Sequence, residues 1–164
     1  MKYEIRWMSR RDIKQVLEIE NESYPDAATE NDFLSCMEQG DCHGIVAESK
    51  RDLLGYCLFE KLKHETHIIS FAVRYEARRN TIGRQMIDRL KSTAPHVGRG
   101  RISIEVPEDN LQGQQFFRSQ GFAAIKILRD YYDIDPGADA YRMQYEVPVA
   151  TATPVNRIKT TTRG

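Results

Sequence analysis

Between residues 67 and 90 the side chains change rhythm. Residues 67–73 run β-branched and aromatic, as a central strand does, whereas Ile82, Met86, Ile87 and Leu90 recur at the spacing of one helix face. The switch falls on a basic turn, Arg78-Arg79-Asn80-Thr81-Ile82-Gly83-Arg84. The same two rhythms parse the rest of the chain. Residues 2–8 alternate as a strand, and Ser9 with Asp12 reads as a capping pair for a helix with the stripe Ile13, Val16 and Leu17. That helix ends at Tyr24-Pro25-Asp26, because proline disfavours helix in the residue before it. Thr29 caps a second helix carrying Phe33, Leu34 and Met37. Residues 44–48 and 53–62 flank the polar turn Ser49-Lys50-Arg51-Asp52 as a hairpin, which residues 67–73 extend. After the helix at 82–92, the loop Pro95-His96-Val97-Gly98 leads to a strand at 101–106, so the passage predicts a parallel crossover. A shorter helix over 110–120 stops at Gly121, and the last strands, 122–128 and 141–147, flank a loop over 129–140. The fold class is α/β, a mixed sheet with flanking helices.

Composition narrows the function without naming it. At 164 residues the chain suits one domain over residues 1–148, followed by a flexible tail over 149–164 with little to bury. Lys plus Arg equals Asp plus Glu at 24 each, so no global field recruits nucleic acid or a membrane surface. Three cysteines, Cys36, Cys42 and Cys57, cannot pair completely and sit in no ligand motif; free thiols and a reducing, cytoplasmic setting are expected. No apolar run reaches the length of a membrane span, and the N-terminus lacks the apolar core of a signal peptide. His64 and His67 lack a third ligand, so no metal is expected. The basic turn has two readings on its own: an anion site made by helix-start N–H groups and arginines, or a solvated helix start.

Two motifs in order decide between them. Arg78-Arg79-Asn80-Thr81-Ile82-Gly83 follows the pattern R/Q-x-x-G-x-G/A with Thr81 at the first glycine. The run from Asn110 through Phe117 to Gly121-Phe122 follows Asn-x-x-Ala-x-x-hydrophobic-Tyr-x-x-x-Gly-Phe, with Gly113 for Ala and Phe117 for Tyr. In these motifs and its element order the chain resembles the GCN5-related N-acetyltransferases (GNAT) up to about residue 148. Residues 18–25, 129–132 and 139–143 resemble ribosomal-protein alanine and protein N-terminal acetyltransferases in particular. The resemblance implies a sheet splayed between its fourth and fifth strands, with acetyl-CoA in the split and a protein or peptide N-terminus as acceptor. It implies cofactor contacts by the main chain of Phe71, Ala72 and Val73, by the turn Arg78, Arg79, Asn80, Thr81, Ile82, Gly83 and Arg84, and by Asn110 and Phe117. Asn110 is equally an N-cap for its helix.

The resemblance also assigns chemistry. Glu105 matches the general base, and a glutamate inside an apolar strand is costly unless paired or functional; an ion pair to Arg101 or Arg118 is the structural alternative. Phe117 stands where related enzymes place a tyrosine acid and has no proton to give. Tyr24, Tyr131 and Tyr132 fall on segments that border the acceptor in related enzymes, or are ordinary loop aromatics. His67, where some relatives carry a tyrosine, is expected to be an exposed bystander rather than a proton relay. Asp130, Asp133, Asp135 and Asp139 either attract a cationic amine or are solvated turn charges. Two rival readings stay open: a small-molecule amine as acceptor, and an acyl-CoA-binding module weakened by Thr81 and Phe117.

Overall fold

The structure, a computed structural model of the chain, describes residues 1–94, 100–132 and 138–148. Strands β1 (Glu4–Trp7), β2 (Cys42–Ser49), β3 (Asp52–Lys61), β4 (Glu65–Val73), β5 (Arg101–Pro107), β6 (Ala123–Tyr132) and β7 (Ala138–Glu146) form one sheet in the order β1-β2-β3-β4-β5-β7-β6. Helices α1 (Ile13–Ser23) and α2 (Glu30–Glu38) cover one face; α3 (Ile82–Thr93) and α4 (Leu111–Ser119) cover the other. The apolar spacing of α3 buries the whole stripe Ile82, Met86, Ile87 and Leu90, while α2 fully buries only Phe33 of Phe33, Leu34 and Met37. No described helix is long and apolar enough to cross a membrane.

All neighbouring strands are antiparallel except β4 and β5, which α3 connects as a parallel crossover. Their pairing covers only Glu65–His67 against Arg101–Ser103. Beyond that point β4 stays on β3 and β5 stays on β7, so the sheet opens into a V between them. A bulge gives β4 the extra residue Ile69 at the start of the opening, which bends the strand away.

Several expectations from sequence are corrected. Cys36 and Cys42 form a disulfide, because the end of α2 folds back onto the first residue of β2 with Cα atoms 5.5 Å apart. Only Cys57 is a free thiol, buried in the sheet, so the cysteines do not point to a reducing compartment. The expected loop over 129–140 is shorter, since β6 continues to Tyr132 and β7 begins at Ala138. Leu17 is only half-buried; Ile19 and Glu20 complete the stripe of α1 instead. The loop 95–98, Asp133, Asp135 and the tail over 149–164 lie outside the described residues.

Candidate active site

The wall of the split is the free side of β4. The Arg74 N–H donates to the Leu54 carbonyl at 2.8 Å, which makes Arg74 and Ala72 the residues whose main chain turns to β3. Phe71 and Val73 therefore turn their N–H and C=O groups toward the split. Their carbonyls are already occupied: the Tyr24 hydroxyl donates to Phe71 O, and Arg78 Nε donates to Val73 O at 3.0 Å. The two N–H groups are thus the wall's hydrogen-bonding offer. Ala72, expected to contribute its main chain, faces away.

Beneath this wall the basic turn enters α3. Arg79 and Thr81 both have positive φ, 66° and 64°, in a region that costs a non-glycine residue about 1–3 kcal/mol. The Thr81 hydroxyl lies 3.1 Å from the Tyr3 hydroxyl, a tie from the N-terminal segment to the strained position. Gln85 N–H closes on Thr81 O at 2.9 Å, so the N–H groups of Ile82, Gly83 and Arg84 precede the first helical bond. Arg79 and Arg84 are exposed around them, while Arg78 lies over the Tyr75 ring. Asn80 keeps its side chain in the turn, 3.4 Å from Ala77 O. Gly83 has a steric reason: a Cβ there would lie 3.1 Å from the Phe116 ring.

On the far side of the split, Asn110 Oδ1 accepts the Gly113 N–H at 2.9 Å and caps α4. The folded-over amide explains why Gly113 departs from the usual alanine, since a Cβ would sit 2.6 Å from Asn110 Nδ2. Phe117 is buried among Phe71, Phe116 and Phe122, with ring centroids 5.1–5.6 Å away. No proton donor occupies that position.

At the opening of the split, four neighbouring strands each contribute one charged side chain to the α1–α2 face. Glu60 on β3 lies 3.1 Å from His67 Nδ1, and His67 Nε2 lies 2.5 Å from Glu105 Oε2. Glu105 Oε1 in turn accepts from Arg142 Nη2 at 2.8 Å and Nε at 3.2 Å. Burial alone would lower the His67 imidazole, but its bonds to Glu105 and then Glu60 raise it above its ordinary value. Burial alone would raise Glu105, yet His67 and then Arg142 hold it below the ordinary carboxylate range. His67 is thus no bystander, and the arginine partner of Glu105 is Arg142 rather than Arg101, which pairs with Glu65, or Arg118.

Two tyrosines lie close to this ladder, and a third, Tyr24, lies at the β4 wall. Tyr131 and Tyr132, ring centroids 5.0 Å apart, both feel the Glu105 charge; burial first, then Tyr131 and Glu105, push the Tyr132 phenol up to about 12. Tyr24 is raised further by burial and then Glu20, so it remains a hydroxyl donor. Buried Glu20 accepts from Ser70 Oγ at 2.9 Å, Ala28 N at 3.1 Å and the Tyr56 hydroxyl, tying the α1–α2 connection to β3 and β4. Asp139 accepts from Arg129 at 2.8 Å and from the Asp130 N–H at 2.9 Å, which fastens it within the hairpin instead of presenting a free charge. Reasoning from sequence missed Glu20, Glu60 and Arg142. For Glu20 and Glu60 the signal was a charged residue in the buried rhythm of α1 and β3, whereas Arg142, like Glu105, alternates with the core residues of its strand.

Residues 6–122 match the model of the Acetyltransferase (GNAT) family. An N-alpha-acetyltransferase of Sulfurisphaera tokodaii is 26% identical over 154 residues, covering 86% of this chain and 91% of its own. The Escherichia coli ribosomal-protein-S18-alanine N-acetyltransferase structure has a TM-score of 0.82 at 20% identity, covering 93% of this chain and 98% of that one. The structure of Arabidopsis thaliana NAA60 in complex with acetyl-CoA has a TM-score of 0.80 at 14% identity, covering 89% and 99%. At these identities the likeness to the solved structures is one of fold.

Proposed function

Because the chain belongs to the GNAT acetyltransferase family, we propose that it transfers the acetyl group of acetyl-CoA to the α-amine at a protein N-terminus. The observation that carries this reading is the proton-accepting unit at the opening of the split, Glu105 Oε2 against His67 Nε2 at 2.5 Å. The relatives' names point to the same acceptor class.

The groups along the split fit acetyl-CoA. The N–H groups of Phe71 and Val73 are placed to polarise a thioester carbonyl. The N–H groups of Ile82, Gly83 and Arg84 at the start of α3, with Arg79 and Arg84 around them, suit a pyrophosphate. Asn110 has committed its oxygen to Gly113 and offers its amide N–H groups. Tyr24 and the pair Tyr131 and Tyr132 line the acceptor side.

Proton transfer sets the choice of amine. Moving a proton from an α-ammonium of pKa about 8 to an ordinary glutamate costs about 5 kcal/mol, and Glu105 is a weaker base still. Moving it on to an ordinary imidazole costs only about 2 kcal/mol, and less to one whose pKa is raised. A lysine ammonium adds about 3–4 kcal/mol to either step. With His67 neutral, Nε2 gives no hydrogen to Glu105; Oε2 receives the proton from the amine and passes it to the Nε2 lone pair beside it. The freed amine forms the C–N bond and the C–S bond breaks with its electron pair on sulfur. The amine's second proton leaves to solvent as the amide forms. With Phe117 unable to donate, sulfur departs as thiolate, tolerable for a thiol of pKa about 8.5.

The test is thiol release from acetyl-CoA with short peptides, one beginning with alanine, alongside polyamines and other small amines. Turnover that depends on the first residues and rises with pH supports the reading. Release with small amines alone moves the acceptor to that class, and coenzyme binding without release to any amine leaves a binding module.

A further inference from the structure

We propose that Glu60 is a positioning residue that selects the tautomer of His67, keeping its one remaining proton on Nδ1 so that Nε2 is the accepting nitrogen. The inference rests on the acetyl transfer proposed above and adds a residue from β3, the strand behind the β4 wall of the split.

The geometry poses a counting problem. Both ring nitrogens of His67 face carboxylate oxygens, Glu60 at 3.1 Å and Glu105 at 2.5 Å. Only an imidazolium satisfies both, since a neutral ring must turn a lone pair toward one carboxylate. Before it can accept a proton from an amine, the ring must therefore give one up, and the two carboxylates compete for the N–H that stays.

The competition is unequal. Glu105 is compensated by Arg142, which donates twice to Oε1, and Glu105 is the less exposed of the two carboxylates. Glu60 has no cationic partner other than His67 among the described residues. An uncompensated carboxylate holds an N–H donor more strongly than one already paired with a guanidinium. The 3.1 Å separation to Glu60 lies within the range of an ordinary N–H···O bond, whereas the 2.5 Å separation to Glu105 is shorter than that range. Tyr131 and Tyr132 on β6, both raised by burial first, stay neutral and do not alter this balance. Glu60 thus plays toward His67 the part a buried carboxylate plays wherever one ring nitrogen must be left free to act.

Nitrogen NMR of the histidines in the full chain tests this without acceptor or acetyl-CoA, the His67 signal being identified by its loss in His67→Gln. Wild type above its titration should show protonated Nδ1 and unprotonated Nε2. Glu60→Leu should transfer the proton to Nε2, move the titration to lower pH and reduce kcat/KM by about tenfold or more. Glu60→Gln, which keeps an accepting oxygen, should preserve the Nδ1–H form while lowering the titration. Nε2–H in wild type, or an unchanged tautomer in Glu60→Leu, overturns the proposal. The expected tautomer change with no peptide acetylated by wild type would retain the role of Glu60 and reject the reaction.

Discussion

Glu105→Gln separates a proton acceptor from a structural ion pair. The substitution keeps size and an accepting oxygen but removes the charge that Arg142 and His67 share. Breaking a buried pair typically costs about 3–5 kcal/mol, but here only Glu105 is deeply buried; the side chains of His67 and Arg142 are 19% and 37% exposed. Water can solvate Arg142 and His67 can lose its proton, so about 1–3 kcal/mol is expected, or roughly 2–12 °C in Tm. Activity should fall much further. Loss of a positioned base typically removes about 10²–10⁴ in rate. The deficit should shrink with pH, because an α-amine of pKa about 8 is roughly a tenth neutral at pH 7 and mostly neutral at pH 9. Thiol release with an alanine-initial peptide across about pH 6 to 9, beside a thermal melt, reads both. Equal turnover by the variant, or a deficit constant across that range, would refute the role of Glu105 as proton acceptor.

Thr81→Gly relieves the positive-φ strain but loses the Tyr3 contact and gains unfolded-state freedom, a net of about 0–1.5 kcal/mol in favour of the fold. Thr81→Val keeps the strain and loses the hydroxyl, so melts should rank Gly above Thr above Val; Val at or above Gly contradicts the strain. Phe117→Tyr should raise kcat by up to about tenfold below the thiol pKa with little change in the KM for acetyl-CoA, if its hydroxyl reaches the departing sulfur; a flat response shows that departure needs no acid. Stability should depend on pH from both ends of the ladder. The raised His67 contributes fully below its ordinary value of 6.5, and that stability is lost as pH rises through the folded value. The lowered Glu105 contributes above its ordinary 4.5, and that stability is lost as pH falls through the folded value. Melts should therefore peak between about pH 4.5 and 6.5, and His67→Gln should flatten the alkaline side.

What the sequence determined was local. The stripe of α3, the Thr29 cap, the Gly121 stop and the basic turn are properties of residues within a few positions of one another, where periodicity and backbone preference act directly. The crossover and the place of Glu105 on the face of β5 opposite Ile102, Ile104 and Val106 also follow from alternation and element order. Thr81 illustrates the boundary: its departure from glycine is visible in the chain, but the backbone angle that makes it strained, and the Tyr3 hydroxyl that meets it, are not. Tertiary structure alone decided which groups stand beside Glu105. Glu60, His67, Glu105 and Arg142 are scattered over more than eighty positions, and they meet because β3, β4, β5 and β7 lie side by side with one face in common. A one-residue slip of any strand would turn its member of the ladder to the opposite face. The Cys36–Cys42 bridge, the Tyr24 contact with Phe71 and the fold of Asn110 over Gly113 likewise depend on where packing delivers a chain end. Register and packing are settled by the whole core at once, which is why no stretch of the sequence read alone discloses them.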